Sequence, residues 1–304
     1  MIIIGLDNDM GLLGGYGDRI VGLISCRVIA EVLGQEFKIN WTKENIRPYF
    51  NYSKYDYELC DLSGVTRETI DLIDKDRGDD LLNCPRISPT VLLATQHNKI
   101  YANREVSNYL YKFPEFSHRS FESDIYRIYK TLYTDILVPT DSVVSKIDTF
   151  IPSDTVPMIG IQIRTGDIYI NTYWNSYKVI DSPETSLPII LSRIKEHIEA
   201  EYKEYKIFIT SDYNEIQKLA ISVWNTDTVL YLDEPVKHMD RRPDGDFSKI
   251  FVDNYILSQK TDRLYISDCS NYGRIAALSS VHENMYNIQC EKLNKYKMLS
   301  KYFK

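Results

Sequence analysis

Met158-Ile159-Gly160-Ile161-Gln162-Ile163-Arg164-Thr165-Gly166-Asp167 is an apolar run that stops abruptly at a polar tip. Its length and its Ile content read as a buried strand over Met158–Ile163. Arg164 then stands at the strand's end. Guanidinium is planar, stays charged and offers paired donors, so it suits a phosphate. Ligands of α/β proteins collect at the carboxyl ends of strands. The stretch therefore points to a parallel α/β domain, with a pyrophosphate-bearing donor at the Arg164–Asp167 tip as the first expectation to test.

The sequence on either side repeats the pattern. Downstream, helix Glu184–Tyr202 precedes strand Lys206–Thr210, a helix from Asn214 and strand Val229–Leu232. Helix Phe247–Gln259, strand Arg263–Ile266, helix Asn271–Leu278 and a last strand Met285–Gln289 follow. Strands alternating with helices mean βαβ units and a parallel sheet. Upstream, strand Met1–Leu6 meets a glycine-rich turn, Gly11–Gly17, and an apolar helix over Ile20–Leu33. Strand Phe37–Trp41 comes next, and residues 42–90 are mixed, with a polar stretch Asp74–Asp80 that reads as a surface loop. Val91–Thr95 reads as a weak strand, 104–136 as helical and Tyr-rich, and Ser142–Phe150 as a short helix. Pro152–Pro157 reads as a linker, which divides the chain into domains 1–150 and 151–304.

Composition narrows the function classes. The 304 residues carry 36 Lys and Arg against 43 Asp and Glu, a net charge of −7. A general nucleic-acid binder would show a basic excess. Five Cys without a CxxC pair fit reduced thiols in a reducing compartment. No run of about 18 apolar residues is present to span a bilayer, and the N-terminus lacks a signal-peptide pattern. The expectation is a cytoplasmic enzyme. The tail Cys290–Lys304, with five Lys among apolar residues, reads as a solvated helix or a weak membrane-surface contact. Tyr is abundant, at 24. That suits carbohydrate contact or reflects compositional drift.

Four further segments could carry chemistry. Gly14-Gly15-Tyr16-Gly17-Asp18-Arg19 joins a strand to a helix, where glycines let a ligand approach the backbone. The third glycine of a dinucleotide fingerprint is missing, as is the acidic end of the second strand. A ligand loop with Asp18 and Arg19 aimed into a cleft, or a structural turn, remains. Thr210-Ser211-Asp212 ends a strand, so Ser211 and Asp212 read either as N-caps or as groups for a base or ribose. Asp253 lies in an apolar helix, on its wet face or at a site. In Ser267-Asp268-Cys269-Ser270-Asn271-Tyr272-Gly273-Arg274, a helix start carries Ser270, the Tyr272 hydroxyl and Arg274, which together suit a pyrophosphate or plain capping. The five His show no paired spacing, so no metal site is expected. There is no P-loop and no Gly-x-Ser-x-Gly.

In this order the pieces resemble the fucosyltransferase superfamily with the GT-B fold, which includes α-1,6-fucosyltransferases, nodulation fucosyltransferases and protein O-fucosyltransferases. The signature His/Gln-x-Arg-x-x-Asp is Gln162-Ile163-Arg164-Thr165-Gly166-Asp167. A second block runs from Asp253 through Leu257-Ser258 to Ser267, Ser270 and Ala276. The N-terminal block is Gly14–Arg19. The resemblance implies two Rossmann-like domains with parallel sheets facing a central cleft. It also implies an inverting, metal-independent transfer of fucose from GDP-fucose to a glycan hydroxyl, with no cofactor. Arg164 would hold the β-phosphate and stabilise leaving GDP. Gly15, Gly17, Arg19, Gln162, Asp167, Ser211, Asp212, Asp253, Ser270, Asn271 and Tyr272 would line the donor. Within that set, Asp212 and Asp253 contact guanine or ribose, and Ser270 with backbone near Asn271 and Tyr272 holds the pyrophosphate. Asp18 is the candidate general base. Two departures stand out: Thr165 replaces a frequent second Arg, and Gln162 replaces a frequent His. Alternatives are another nucleotide sugar, GDP-mannose or a UDP-sugar, or a non-catalytic glycan-binding relative.

Overall fold

A computed structural model describes residues 1–7, 14–59, 67–71, 88–151, 156–166, 179–180, 182–234, 239, 246–288 and 294–295. Asp167, the Asp74–Asp80 stretch and most of the tail after 288 lie outside these residues. The chain divides into two compact units, residues 1–142 with 239–244, and 143–238 with 245–304.

The first unit opens with strand β1 (Ile2–Leu6), which is wholly buried, and helix α1 (Tyr16–Val32). Strands β2 (Phe37–Trp41), β3 (Phe50–Asn51) and β4 (Arg67–Asp71) follow. Helix α2 (Pro89–Ala94) leads into β5 (His97–Tyr101), and then come helix α3 (Phe121–Lys130) and strand β6 (Val138–Pro139). The main sheet has the order β2-β1-β5-β4 and is parallel throughout. β3 and β6 pair antiparallel on their own.

Three readings of this unit change. Val91–Thr95 is not a strand: Ser88 accepts from the Val91 amide at 3.3 Å and Pro89 opens a helix. A Ser cap followed by Pro at the first helical position favours that outcome. The strands missed are β3 to β6; β4 and β5, which belong to the main sheet, were hidden by their polar residues. In β5, buried Asn98 donates to the Leu92 carbonyl at 2.7 Å, which satisfies a polar side chain inside the core. The third change is in 104–136, which is broken into short 3-10 turns at Ser107–Lys112 and Pro114–Phe116 before α3, and a π turn after it at Leu132–Ile136. Pro114 lacks the N–H that a continuous helix needs.

α1 is buried nearly all round because the chain after β5 crosses directly over it. A Cβ at Gly22 would lie 1.8 Å from the Ala102 carbonyl oxygen. Backbone, not a movable side chain, fills that space. Gly22→Ala is expected to destabilise the unit by about 3 kcal/mol, readable as a lower midpoint in urea; an unchanged midpoint would mean that the helix can move off the crossing.

The second unit begins within helix α4 (Asp141–Phe150). It contains β7 (Met158–Ile163), α5 (Pro183–Glu199), β8 (Lys206–Ser211), α6 (Ile216–Val223), β9 (Val229–Leu230) and α7 (Ser248–Gln259). It closes with β10 (Arg263–Ile266), α8 (Asn271–Leu278), β11 (Met285–Asn287) and β12 (Asn294–Lys295). The sheet order is β12-β11-β10-β7-β8-β9, parallel except for β12 against β11. Leu187, Leu191, Ile194 and Ile198 recur every three or four residues on α5 and pack on Ile159, Ile161 and Ile207. That single apolar stripe explains why the helix lies flat on the sheet.

Counted from β7, successive strands run outward through β8 to β9, then restart on β7's other side with β10 and β11. This is the order of a doubly wound dinucleotide-type sheet, and the reversal falls between β7 and β10. Physics thus marks one crevice, at the carboxyl ends of those two strands, before any side chain is considered. Among the described residues, no helix is long and apolar enough to cross a membrane.

Candidate donor-binding site

Arg164 leaves β7 at that crevice. Its amide donates to Ser267 Oγ at 2.9 Å, and the Ser267 amide bonds the Gln162 carbonyl at 3.0 Å and Gln162 Oε1 at 3.2 Å. The tips of β7 and β10 are therefore laced together by residues that also belong to the signature. The neighbouring strand tip supplies Asp212. Its Oδ1 accepts from the Thr165 amide and hydroxyl at 2.6 and 2.7 Å. Its Oδ2 accepts from the Gly166 amide at 2.9 Å and faces Arg164 Nη1 at 3.0 Å. Gly166 has φ +124°, which a residue with a Cβ rarely adopts. The Arg164 side chain keeps 22% exposure, enough for a ligand to reach it.

α8 begins across the crevice. Ser270 occupies its N-cap in extended geometry, yet makes no side-chain cap bond. The hydroxyl is thus not used by its own helix, whose leading amides and dipole favour an anion. Gly273 brings this first turn onto Gln162: a Cβ there would sit 2.3 Å from Gln162 Oε1. Arg274 is steered by Asp268, with Nε 3.5 Å from Oδ1, and by Asn271 Oδ1 at 3.3 Å. Asp268 also accepts from Asn287, at the end of β11, at 3.2 Å. Ser267 stood in the signature block without a role and Asp268 beside it with none, since only the strand pairing shows what they join. Tyr272 needs a correction: its hydroxyl donates to the Ile250 carbonyl on α7 at 2.8 Å. That leaves the backbone, not the hydroxyl proton, as its contribution to a cradle.

Asp253 and Ser211 also sit differently from expectation. Asp253 is 2% exposed, so it is not on a wet helix face. Its Oδ2 accepts from the Thr210 hydroxyl at 2.6 Å and pairs with Lys249 Nζ at 2.9 Å, while Oδ1 is buried and has no hydrogen-bond partner among the described residues. Burial pushes the Asp253 pKa up, and Lys249 opposes that shift. Lys249 further donates to the Leu232 carbonyl at 2.8 Å and lies 4.4 Å from the Tyr231 ring centroid. It was not anticipated, though its i, i+4 spacing from Asp253 was a signal. Ser211 accepts from the Tyr213 amide at 3.1 Å in a local turn. Neither Ser211 nor Asp212 caps a helix, because α6 starts only at Ile216 behind an N-cap at Glu215.

The first unit places Gly14–Arg19 as a helix start. Gly14 has φ +80°, Gly15 is the N-cap, and Gly17 is buried in the first turn. Asp18 Oδ2 accepts from the Gly15 amide at 3.1 Å, which closes the helix on itself. Arg19 does not point into a cleft. It is 0% exposed, pairs with buried Glu44 and bonds the Gly14 carbonyl at 3.1 Å. The helix starts at Tyr16, four residues before the apolar run suggested, and this turns Arg19 inward. At the carboxyl end of β1 the unit holds a cluster the sequence did not reveal. Asp7 accepts from Asn40 at 2.7 Å and Tyr101 at 3.0 Å, and pairs with Lys99 at 2.5 Å.

No group of His, Cys, Asp and Glu among the described residues could hold a metal ion. Neither known family descriptions nor curated protein sequences match this chain. Solved structures do. A mutant of FUT1 from Arabidopsis thaliana, in complex with GDP, superposes with a TM-score of 0.61 at 14% identity, over 94% of this chain and 70% of that one. NodZ α-1,6-fucosyltransferase from Bradyrhizobium, soaked with GDP-fucose, gives 0.58 at 13% identity, over 96% and 98%. POFUT1 in complex with GDP gives 0.51 at 11% identity, over 93% and 96%. At these identities the likeness is one of fold. The fold is that of the GT-B-like fucosyltransferases, as the sequence resemblance implied.

Proposed function

We propose that this chain is a glycosyltransferase that moves fucose from GDP-fucose to a glycan hydroxyl, with inversion and without a metal. The observation that carries the reading is a two-sided anion cradle at the sheet's reversal point. Arg164, tied to Asp212, stands on one side, and the α8 start with its uncommitted Ser270 hydroxyl stands on the other. Displacing the sugar from its phosphate leaves negative charge on GDP. A guanidinium and helix amides fixed in advance stabilise that charge without reorganising. Asn271 and the Tyr272 backbone complete the cradle, and Gln162 supports it from beneath. The acceptor hydroxyl gives its proton to a general base, for which Asp18 is the candidate.

One observation favours a second donor. The carboxylate expected to read guanine or ribose, Asp253, already shares an oxygen between Lys249 and Thr210. A donor whose base is not guanine, such as a UDP-sugar, would not need that group to read a guanine. Calorimetric titration of the purified protein with GDP, GDP-fucose, GDP-mannose, UDP and NAD, without added metal, separates the readings. Micromolar binding of GDP and GDP-fucose, weakened but still measurable in Arg164→Ala, is the expected result. Preference for UDP or NAD would move the function to another donor, and tight GDP binding without turnover on glycans would indicate a binding protein.

A further inference from the structure

Thr165 is fully buried, although it follows the charged end of a strand. Its burial is explained by what it touches. Four donors from three consecutive residues, Arg164, Thr165 and Gly166, converge on the one carboxylate of Asp212. That carboxylate is itself only 7% exposed. An ionised carboxylate offers about four lone-pair sites, so this one is filled by the protein. A filled, buried carboxylate cannot also accept from a ribose or a base.

We infer that Asp212 is the positioning residue of Arg164 and reaches the donor only through it, an assignment that rests on the donor reading above. A guanidinium has five N–H donors in one rigid plane. Pairing through Nη1 sets that plane, while the Thr165 and Gly166 amides fix where the backbone delivers it. Thr165 is part of the device. A second arginine at this buried place would compete with Arg164 for the same carboxylate. The short hydroxyl of threonine satisfies an oxygen and leaves the ion pair intact. The departure of this chain at 165 is therefore consistent with a single, tightly aimed cation.

The test combines amide hydrogen exchange with a double-mutant cycle. In Asp212→Asn, half the acceptor becomes a donor that faces Gly166 N–H and Arg164. Exchange at the Thr165 and Gly166 amides should rise at least about tenfold, while β7 from Met158 to Ile163 stays protected. GDP affinity should fall about tenfold, and in the Arg164→Ala background the same change should cost almost nothing further. Thr165→Ser should keep wild-type exchange and Thr165→Val should not, which preserves the test if Asp212→Asn folds poorly. Wild-type exchange at both amides in Asp212→Asn, or losses of GDP affinity that multiply independently, would overturn the assignment. A wild-type protein that binds no GDP refutes the donor reading, whereas the exchange result still decides whether Asp212 holds the tip.

Discussion

Arg164→Ala is expected to lower sugar transfer by about 10²–10³-fold while the protein keeps its melting temperature within a few degrees. The two halves of this expectation have separate causes. The rate falls because a preorganised cation at the leaving group acts mainly on the transition state, where charge has built up. The fold survives because Asp212 is not stranded by the change. The Thr165 amide and hydroxyl, the Gly166 amide and the Ser211 hydroxyl still donate to it. The removed side chain is also partly exposed, so little apolar packing goes with it. Initial rates with donor and acceptor varied, beside a thermal melt, check both parts. Near-wild-type turnover would remove Arg164 from the chemistry. A collapsed melt would mean that the ion pair with Asp212 carries the unit's stability.

The second large effect lies in the other unit. Arg19→Ala should destabilise it by about 3–5 kcal/mol, a large part of the 5–15 kcal/mol typical of a domain. The substitution leaves the Glu44 carboxyl buried and without its cation. Only the Trp41 indole N–H, at 3.2 Å, among its described hydrogen bonds would remain. Replacing both partners, as Arg19→Met with Glu44→Leu, should recover most of the loss, since the penalty comes from the unpaired charge rather than from the missing attraction. Urea unfolding of both variants decides the matter. A stable Arg19→Ala protein with weakened donor binding would restore the role that the sequence suggested for this residue.

These two arginines show how far the sequence could be read. Arg164 was legible because an apolar run of strand length ends on it, and β topology assigns meaning to strand ends. Arg19 looked equally suited, being polar and next to glycines at the start of a helix. The helix begins at Tyr16, however, and one turn of rotation buries the guanidinium. Helix starts are set by backbone geometry at the cap, and periodicity alone does not fix them. The short strand β5 was lost for a related reason. His97, Asn98 and Lys99 carry no apolar alternation: buried Asn98 is satisfied by the Leu92 carbonyl, and Lys99 pairs with Asp7, far along the chain.

The sequence by itself determined the alternation of strands and helices in the second unit, the order of the motifs, and hence the parallel sheet with its crevice. Local periodicity and the polarity of strand ends suffice for that, because both are written in neighbouring residues. Only the tertiary structure decided which polar groups are available. It committed Asp212 to the β7 tip, Asp253 to Lys249, the Tyr272 hydroxyl to α7 and Arg19 to Glu44, and left Ser270 without a cap bond. Those outcomes depend on which groups meet across strands and helices distant in sequence. A buried charge or donor must find its partner wherever the packing places it.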